Sequence, residues 1–428
     1  MENAFSLKPS LLLGVSSSAA QADGGDVQTN WTEWCRRGHT RDGADPSLAA
    51  GHWDRWREDV LLMRKMGIQT CRFSVEWARI EPEEGCFDES AIAHIKEELM
   101  FMLGLGIKPL ITLHYFTDPV WFDEKGGWAD YDNVRCFLIY VEKFIKSVGH
   151  LAEEYITLNA PGIYAYNGYV TGAWPPGQKS LSAAFNVMSN MAAAHIKAYR
   201  LIHDMRLSMG FKNTKVSFAN HMRVFEARSH YNPIHRAGAA ESQHIFQDVL
   251  TRAMTTGEFK SPLKNNGRDR RGAYCDFHAV NYYTRSTVAL GLGTRKDGFK
   301  NDIGEEIYPQ GIVECCRRLQ AIAPLPIYIT ENGVCDVNDS FRCRYIYEHL
   351  KCLTESRLPV KRYYYRSFTD GFEWLEGNYA RYGLVGVNAD TMERSVKKSG
   401  EFYAQLLKNR GVTEEMYESF VSGESYHY

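Results

Sequence analysis

Residues 328–334 read Tyr-Ile-Thr-Glu-Asn-Gly-Val, and the interpretation of the whole chain depends on this stretch. The run Pro-Ile-Tyr-Ile at residues 326–329 combines apolar, β-branched and aromatic side chains, which is typical of a buried strand. Asn332-Gly333 ends this strand and leaves Glu331 at the edge of a loop. A carboxylate in that position lies where the loops of a parallel sheet converge on a cleft. Taken alone, Glu331 could equally be a solvated loop residue.

Apolar strand-like runs alternate with helical patterns on both sides of this strand. The predicted strands are residues 11–15, 71–75, 109–113, 155–158, 215–219, 277–283, 327–329 and 363–368. The predicted helices are residues 51–66, 92–105, 133–151, 181–209, 308–323, 339–356 and 394–409. Strands that alternate with helices form a parallel sheet, and eight such units over 428 residues predict an α/β fold with a single (β/α)₈ TIM barrel. No linker or low-complexity tract interrupts the pattern, so we predict one domain, residues 1–428.

Composition narrows the function classes. The 50 basic and 52 acidic residues leave a net charge of −2, which gives no reason to expect nucleic acid or an anionic membrane as a partner. The apolar run at residues 11–15 is too short for a secretory signal, and no run reaches the length of a transmembrane helix. Aromatic residues make up 13%, and aromatic rings can stack on sugar rings as well as pack in a core.

The ten cysteines lie at irregular spacing and form no Cys-x-x-Cys pair. We therefore predict no metal site, no cofactor, reduced thiols and a cytoplasmic location. The oligomeric state stays open, with a homo-oligomer among the options.

Polar side chains lie at or just after the ends of the predicted strands. They are Gln21, Arg72, His114, Asn159, Asn220, Tyr283, Glu331 and residues 370–374. Because the chemistry of a parallel barrel is found at the carboxyl ends of its strands, these residues are the candidate site. Singly, Arg72 or His114 could be a paired core group without a further role.

Together these stretches resemble family 1 glycoside hydrolases, the β-glucosidase family, across nearly the whole chain. The matching segments are residues 12–24, Arg72-Phe73-Ser74 with Trp77 and Arg79, His114, residues 157–161 with 168–169 and 174–177, Asn281-Tyr282-Tyr283-Thr284, residues 329–333, and Asp370-Gly371-Phe372-Glu373-Trp374. Seven matches in the right order make the resemblance specific. The resemblance implies a glycoside or other carbohydrate as the substrate.

A retaining glycosidase of this kind uses two carboxylates, roughly 5 to 5.5 Å apart. The resemblance assigns the nucleophile to Glu331, with Arg72 and Tyr283 as donors that stabilise its ionised form. It assigns Asn159 to the 2-hydroxyl of the sugar. The other hydroxyls would be held by Gln21, His114, Glu373 and Trp374.

The second carboxylate is absent from the matching segment. The family has Glu between the residues that match Asn159 and Pro161, and this chain has Ala160, which has no proton to give or take. Three explanations compete: a deliberate Glu→Ala substitution made to stall turnover, a natural enzyme for activated leaving groups like the thioglucosidases of the family, and a carbohydrate-binding protein that has lost catalysis. The otherwise intact site favours the first. The retention of Glu331, Arg72 and Tyr283 argues against the third.

A second departure lies in the segment before Asp370. The family usually has Trp four positions before this Asp, and this chain has Arg366. A guanidinium is a fixed cation with a planar fork of donors, so an altered sugar or aglycone, including an acidic one, is one hypothesis. The other is an Arg stacked on Tyr364 or Trp374 that touches no ligand. The Glu373-Trp374 pair resembles the enzymes that act on unphosphorylated sugars.

Overall fold

The computed structural model describes residues 3–289, 291–295 and 297–427. Eight parallel strands form its centre: β1 (Leu12–Ser16), β2 (Thr70–Ser74), β3 (Lys108–Thr112), β4 (Glu154–Asn159), β5 (Lys215–Ala227), β6 (His278–Val288), β7 (Ile327–Asn332) and β8 (Val360–Arg366). Each strand pairs with its neighbour in the chain, β8 also pairs with β1, and the β5–β6 ladder completes the ring. The sheet therefore closes on itself, and the predicted single (β/α)₈ barrel is confirmed.

A ring of helices surrounds the barrel. They are α1 (His52–Lys65), α2 (Glu89–Gly104), α3 (Val134–Val148), α4 (Leu181–Ser208), α5 (Val249–Thr256), α6 (Gly311–Ile322), α7 (Arg342–Glu355) and α8 (Lys398–Asn409). Shorter helices lie in the connections at Ala19–Ala22, Asn30–Arg36, Trp77–Ile80, Val120–Glu124, Pro161–Ala165, Pro233–Gln243 and Glu414–Met416. Short strands at Phe5–Ser6 and Gly411–Val412 pair with each other, as do Val385–Val387 and Arg394–Val396.

The barrel has two apolar regions. A small cluster of strand residues, which includes Leu110, Ile156, Phe277 and Tyr364, is separate from the main core and fills the barrel interior. The main core packs the outer faces of the strands against the helices. Side chains alternate across a strand, so one strand supplies both regions. The strands are held rigidly on both sides, which fixes the positions of their carboxyl ends.

Two differences from the predicted elements bear on the site. The strand predicted at residues 215–219 continues to Ala227, because residues 224–227 pair with residues 285–288 beyond the barrel rim. The helix predicted from residue 394 begins at Lys398, because residues 394–396 form a strand with residues 385–387. The first pairing joins segments about 60 residues apart, and local periodicity does not report such a contact. The second is a local antiparallel hairpin whose strands are only three residues long.

Within the described ranges, no helix is long and apolar enough to cross a membrane. All ten cysteines are free thiols, and nine of them are wholly or partly buried.

Candidate active site

A cavity of about 350 Å³ opens at the carboxyl ends of the strands. Its lining includes Glu331, Tyr283 and Asn159 from three different strands, together with Trp374 from the loop after β8. Eight of the residues predicted as site residues from the sequence line this one cavity: these four together with Ala160, Asn220, Arg366 and Glu373. Such a cavity, apolar with a few converging polar groups, is the usual form of a small-molecule site.

Glu331 lies at the inner end of this cavity and is 2% exposed. The side chain after it, Asn332, fixes the end of β7: its Nδ2 donates to the carbonyl of Tyr282 (2.9 Å), and its Oδ1 accepts from the hydroxyl of Tyr363 (2.8 Å). These two bonds tie β7 to β6 and to β8. The backbone that carries Glu331 therefore has little freedom to move.

Three donors hold the Glu331 carboxylate. The Arg72 guanidinium forms a short ion pair with Oε1, Tyr115 Oη donates to the same oxygen at 2.9 Å, and Tyr283 Oη donates to Oε2 at 2.5 Å. Arg72 is 1% exposed, so this ion pair is shielded from solvent. Burial and the Glu331 charge raise the pKa values of both Tyr115 and Tyr283, so each phenol stays a hydrogen donor. The arrangement stabilises an ionised carboxylate that faces the cavity.

Tyr115 is the functional candidate that the sequence analysis missed. It directly follows His114, which was singled out as the residue at the end of the third strand. Its ring also stacks on Trp374 at 6.1 Å with the planes 9° apart. The position next to a strand-end candidate was the available signal, but an isolated Tyr in an apolar run gave no reason to expect a contact with Glu331.

The amide of Asn159 is oriented by two donors. Its Oδ1 accepts from Arg72 Nη2 at 2.7 Å and from Asn281 Nδ2 at 2.8 Å. The side chain is fully buried, and its Nδ2 has no hydrogen-bond partner among the residues the structure describes. Because a buried donor without a partner is costly, this N–H₂ group is suited to bond a ligand hydroxyl in the adjoining cavity.

Ala160 lines the cavity beside Asn159 and is 2% exposed. Its backbone is left-handed, with φ 44° and ψ 55°, and its N–H donates to the carbonyl of Ala219 at 2.8 Å. A left-handed non-glycine residue costs about 1 kcal/mol or more, and such residues cluster at functional sites. Within the described part of the lining, the carboxylates are those of Glu305, Glu331 and Glu373.

Glu373 and Arg366 form a buried pair at one side of the cavity. Arg366 Nη2 donates to Glu373 Oε2 at 2.7 Å, and Gln21 Nε2 donates to the same oxygen at 2.9 Å. Burial raises the pKa of Glu373 to about 6, although Arg366 acts to lower it. The Arg366 guanidinium lies over the ring of Tyr382 at 4.6 Å, and among the described aromatic residues this is the ring it stacks on. Arg366 therefore has an ionic partner inside the site.

The remaining sugar-binding candidates differ in their access to the cavity. Trp374 lines it directly. Gln21 lies behind Glu373 and lines a small adjoining cavity of about 10 Å³, together with Tyr115, Arg366 and Glu373. His114 is 1% exposed and lies outside the main lining; its Nε2 is 2.9 Å from Asp118 Oδ1, and its Nδ1 has no partner in the described part of the chain.

Metal ligands in proteins are mainly His, Cys, Asp and Glu side chains. Within the described ranges, no group of three or more His, Cys, Asp or Glu side chains could hold a metal ion.

A buried carboxylate at the carboxyl end of a barrel strand, facing a cavity, lies where (β/α)₈ enzymes carry out their chemistry. Comparison with known proteins gives the class in more detail. The chain belongs to glycosyl hydrolase family 1, whose sequence profile matches residues 5–412.

Relatives in this family align over nearly their whole length. The chain is 27% identical to the 1,4-beta-D-glucan glucohydrolase of Thermotoga neapolitana over 94% of this chain and 98% of that protein. It is 27% identical to Beta-glucosidase A of Thermotoga maritima over 94% of this chain and 97% of that protein. Among solved structures, the beta-glycosidase from Pyrococcus horikoshii superposes with a TM-score of 0.89 at 30% identity, over 99% of both chains.

Proposed function

We propose that the chain is a retaining β-glycosidase that acts from the chain end on unphosphorylated β-glycosides, with Glu331 as the nucleophile. The observation that carries the proposal is the Glu331 carboxylate, buried at the end of β7 and bound by Arg72, Tyr115 and Tyr283 inside the main cavity. Membership of family 1 supports it, as do relatives whose names describe β-glucosidases and a β-glycosidase.

In the first step, a Glu331 oxygen donates an electron pair to the anomeric carbon, and the bond from that carbon to the aglycone oxygen breaks with its electrons on the oxygen. Glu331 then forms an ester with the sugar. In the second step, water attacks the same carbon and releases one proton to the solvent, the bond from that carbon to the Glu331 oxygen breaks, and Glu331 leaves as a carboxylate. Two displacements at one carbon return the original configuration, which is why the reaction is retaining.

Asn159 and Glu373, together with the residues around Glu373, have roles in binding the sugar. The free Nδ2 of Asn159 would donate to the hydroxyl next to the anomeric carbon. Glu373 and Trp374 would contact the hydroxyls and the ring face farther along, with Gln21 and His114 behind them. Arg366 would act on the sugar chiefly through Glu373, because its guanidinium is bonded to that carboxylate.

We propose that Ala160 occupies the position of the general acid and base. A methyl group cannot protonate the leaving oxygen or activate water, so the chain would cleave only glycosides whose aglycone leaves as a stable anion. Acid–base assistance is worth about 10²–10⁴-fold in rate, so this form would be strongly impaired. The deliberate origin of Ala160 stays a prediction.

The test compares Ala160→Glu with Ala160→Gln on aryl β-glycosides of rising leaving-group pKa. The two side chains have the same shape, and only the glutamate can transfer a proton. We expect Ala160→Glu to raise kcat/KM for poor leaving groups by about 10²–10⁴-fold, with no such gain for Ala160→Gln. Azide should accelerate the unaltered chain by attacking the glycosyl-enzyme and should give a β-glycosyl azide.

Other outcomes would point to the alternatives. Turnover of thioglycosides by the unaltered chain at useful rates would favour a thioglycosidase. A non-catalytic binding protein would be favoured if the chain binds sugar but neither Ala160→Glu nor Ala160→Gln turns over substrate and azide does not accelerate the unaltered chain. A substrate screen on Ala160→Glu identifies the sugar, and comparing uronides with glucosides in Arg366→Trp tests the role of Arg366.

A further inference from the structure

The outer half of the cavity, lined by residues 221–225 of β5, contains the Arg223 guanidinium, which the proposed chemistry does not use. Side chains on one face of a strand recur every second residue, and His221, Arg223 and Phe225 all line the cavity along the extended part of β5. The His221 ring stacks on the Tyr283 ring at 5.8 Å with the planes 18° apart, and Tyr283 binds Glu331.

The Arg223 guanidinium has neutral partners. Its Nη1 donates to Ser286 Oγ at 3.0 Å, and its Nη2 donates to His221 Nε2 at 3.2 Å. Among the described residues, no carboxylate lies within 4.0 Å of it in an ion pair. Glu305 lines the same cavity, and its charge favours the charged form of Arg223 without a direct ion pair. Its Oε2 accepts from Asn301 Nδ2 at 3.1 Å.

This cation is partly buried. Burial lowers the pKa of Arg223, the charge of Glu305 acts to raise it, and the guanidinium stays charged. Burial, together with the Arg223 charge, lowers the pKa of His221 well below its ordinary value, so the imidazole is neutral. Because Arg223 donates to Nε2, the proton of the imidazole is on Nδ1. A partly buried cation to which no described carboxylate is directly bonded favours an anion that forms that direct ion pair.

The surroundings of Arg223 indicate the rest of the ligand. Apolar and aromatic side chains line the same outer region: Ile163, Tyr166, Phe225, Phe246 and Leu292. The Tyr166 and Phe246 rings pack edge to face at 4.9 Å. Such a wall suits an aromatic or otherwise apolar body, and the planar fork of the guanidinium suits a carboxylate.

We propose that the outer half of the cavity is an anion-selective aglycone site, in which Arg223 binds a carboxylate or similar oxyanion carried on an aromatic aglycone. This inference rests on the proposed function, because it assumes that the sugar lies against Glu331. It adds a substrate class that family membership does not supply: β-glycosides with an acidic aryl aglycone.

The test uses two carbon-linked glucosides that no hydrolase can cleave, 4-carboxybenzyl and 4-carbamoylbenzyl β-C-glucoside. They differ in charge and hardly in shape. Calorimetric titration of the full chain should show the carboxylate binding about ten- to a hundredfold more tightly, the range of a charge-assisted hydrogen bond. In Arg223→Gln, the ratio of the two affinities should fall to about one.

Controls separate the local contact from general electrostatics and from misfolding. Arg228→Gln removes the same charge from an exposed residue just beyond the end of β5 and should keep the ratio of the unaltered chain. If Arg223→Gln does not fold, Arg223→Met keeps the aliphatic stem and carries the same expectation. Equal affinities in the unaltered chain, or a preference that survives the loss of Arg223, would overturn the inference.

A third ligand, 1-deoxynojirimycin, separates this inference from the proposed function. If it binds while both C-glucosides fail to bind, the sugar site stands and the aglycone site is rejected. If none of the three ligands binds, the proposed function is rejected, and the inference is rejected with it.

Discussion

Replacing Tyr115 with Phe should slow the release of the sugar from Glu331 more than it slows the attachment. Tyr115 is 6% exposed, and its hydroxyl donates to Glu331 Oε1 at 2.9 Å. The substitution removes one oxygen atom and leaves the Arg72 ion pair to the same Oε1 in place. Glu331 is therefore not left without a partner, and the fold should survive.

The magnitude follows from the charge on Glu331 in each state. A hydrogen bond to a carboxylate is worth about 1.5–3 kcal/mol, and one between neutral groups about 0.5–1.5 kcal/mol. In the glycosyl-enzyme of the proposed mechanism, Glu331 would be a neutral ester, and its negative charge would return as the sugar leaves. The hydrogen bond from Tyr115 is therefore about 1 kcal/mol stronger in the transition state of release than in the ester. Its loss should slow release about threefold to tenfold.

Pre-steady-state kinetics with a 2,4-dinitrophenyl β-glycoside measures both steps. This leaving group needs no proton, so a burst of dinitrophenolate reports attachment and the steady rate reports release. We expect Tyr115→Phe to keep the burst and to lower the steady rate. Tyr155→Phe is the matched control, since its buried hydroxyl donates to the carbonyl of Ala152 (2.9 Å), away from the cavity. A steady rate in Tyr115→Phe that equals or exceeds that of the unaltered chain would refute the argument.

Three further predictions concern stability and pH. Burial raises the pKa of Glu76 from 4.5 to about 7, so the folded chain holds this proton more tightly than the unfolded chain. The contribution of Glu76 to stability therefore falls by about 3 kcal/mol as pH rises through that window. The difference between the free energies of unfolding in urea at pH 5 and pH 8 should be smaller in Glu76→Gln than in the unaltered chain, and an unchanged difference would contradict this. A Cβ at Gly333 would lie 1.7 Å from the carbonyl oxygen of Arg366, so Gly333→Ala should lower the free energy of unfolding by about 2 kcal/mol or more, while Gly423→Ala, which meets open space, should not. Arg366 lowers the pKa of Glu373 from the value that burial alone would give. In Arg366→Gln, the midpoint at which the affinity for a neutral sugar falls on acidification should therefore move above pH 6. An unchanged midpoint would argue against the Arg366–Glu373 pair.

Much of the barrel could be predicted because its signals are local. Each strand, buried on both faces, reads as a short apolar run, and each helix has its own periodicity. Once eight such units are recognised, the carboxyl ends of the strands must meet at one face. That geometry, with the family resemblance, was enough to place Glu331, Tyr283 and Asn159 on one cavity and Arg72 directly against Glu331.

Other features depend on contacts between distant segments, which local patterns do not encode. The extension of β5 to Ala227 exists because residues of β6 pair with it, and it brings His221 and Arg223 into the cavity. The hypothesis of Arg366 stacked on Tyr364 or Trp374 was wrong about the ring, which is that of Tyr382. The loop that carries Tyr382 meets the end of β8 only in the folded barrel.

Residue patterns alone indicated the barrel and put Glu331 at the end of its seventh strand, because strands and helices have local signals. That Ala160 stands in the place of a second carboxylate came from the family resemblance and stays a prediction. Only the tertiary structure decided which groups surround the Glu331 carboxylate. It added Tyr115 to the donors of Glu331, paired Arg366 with Glu373 and gave Arg223 the neutral partners Ser286 and His221. The physical reason is that hydrogen bonds and ion pairs are set by distances of a few ångströms between side chains that lie far apart in the chain.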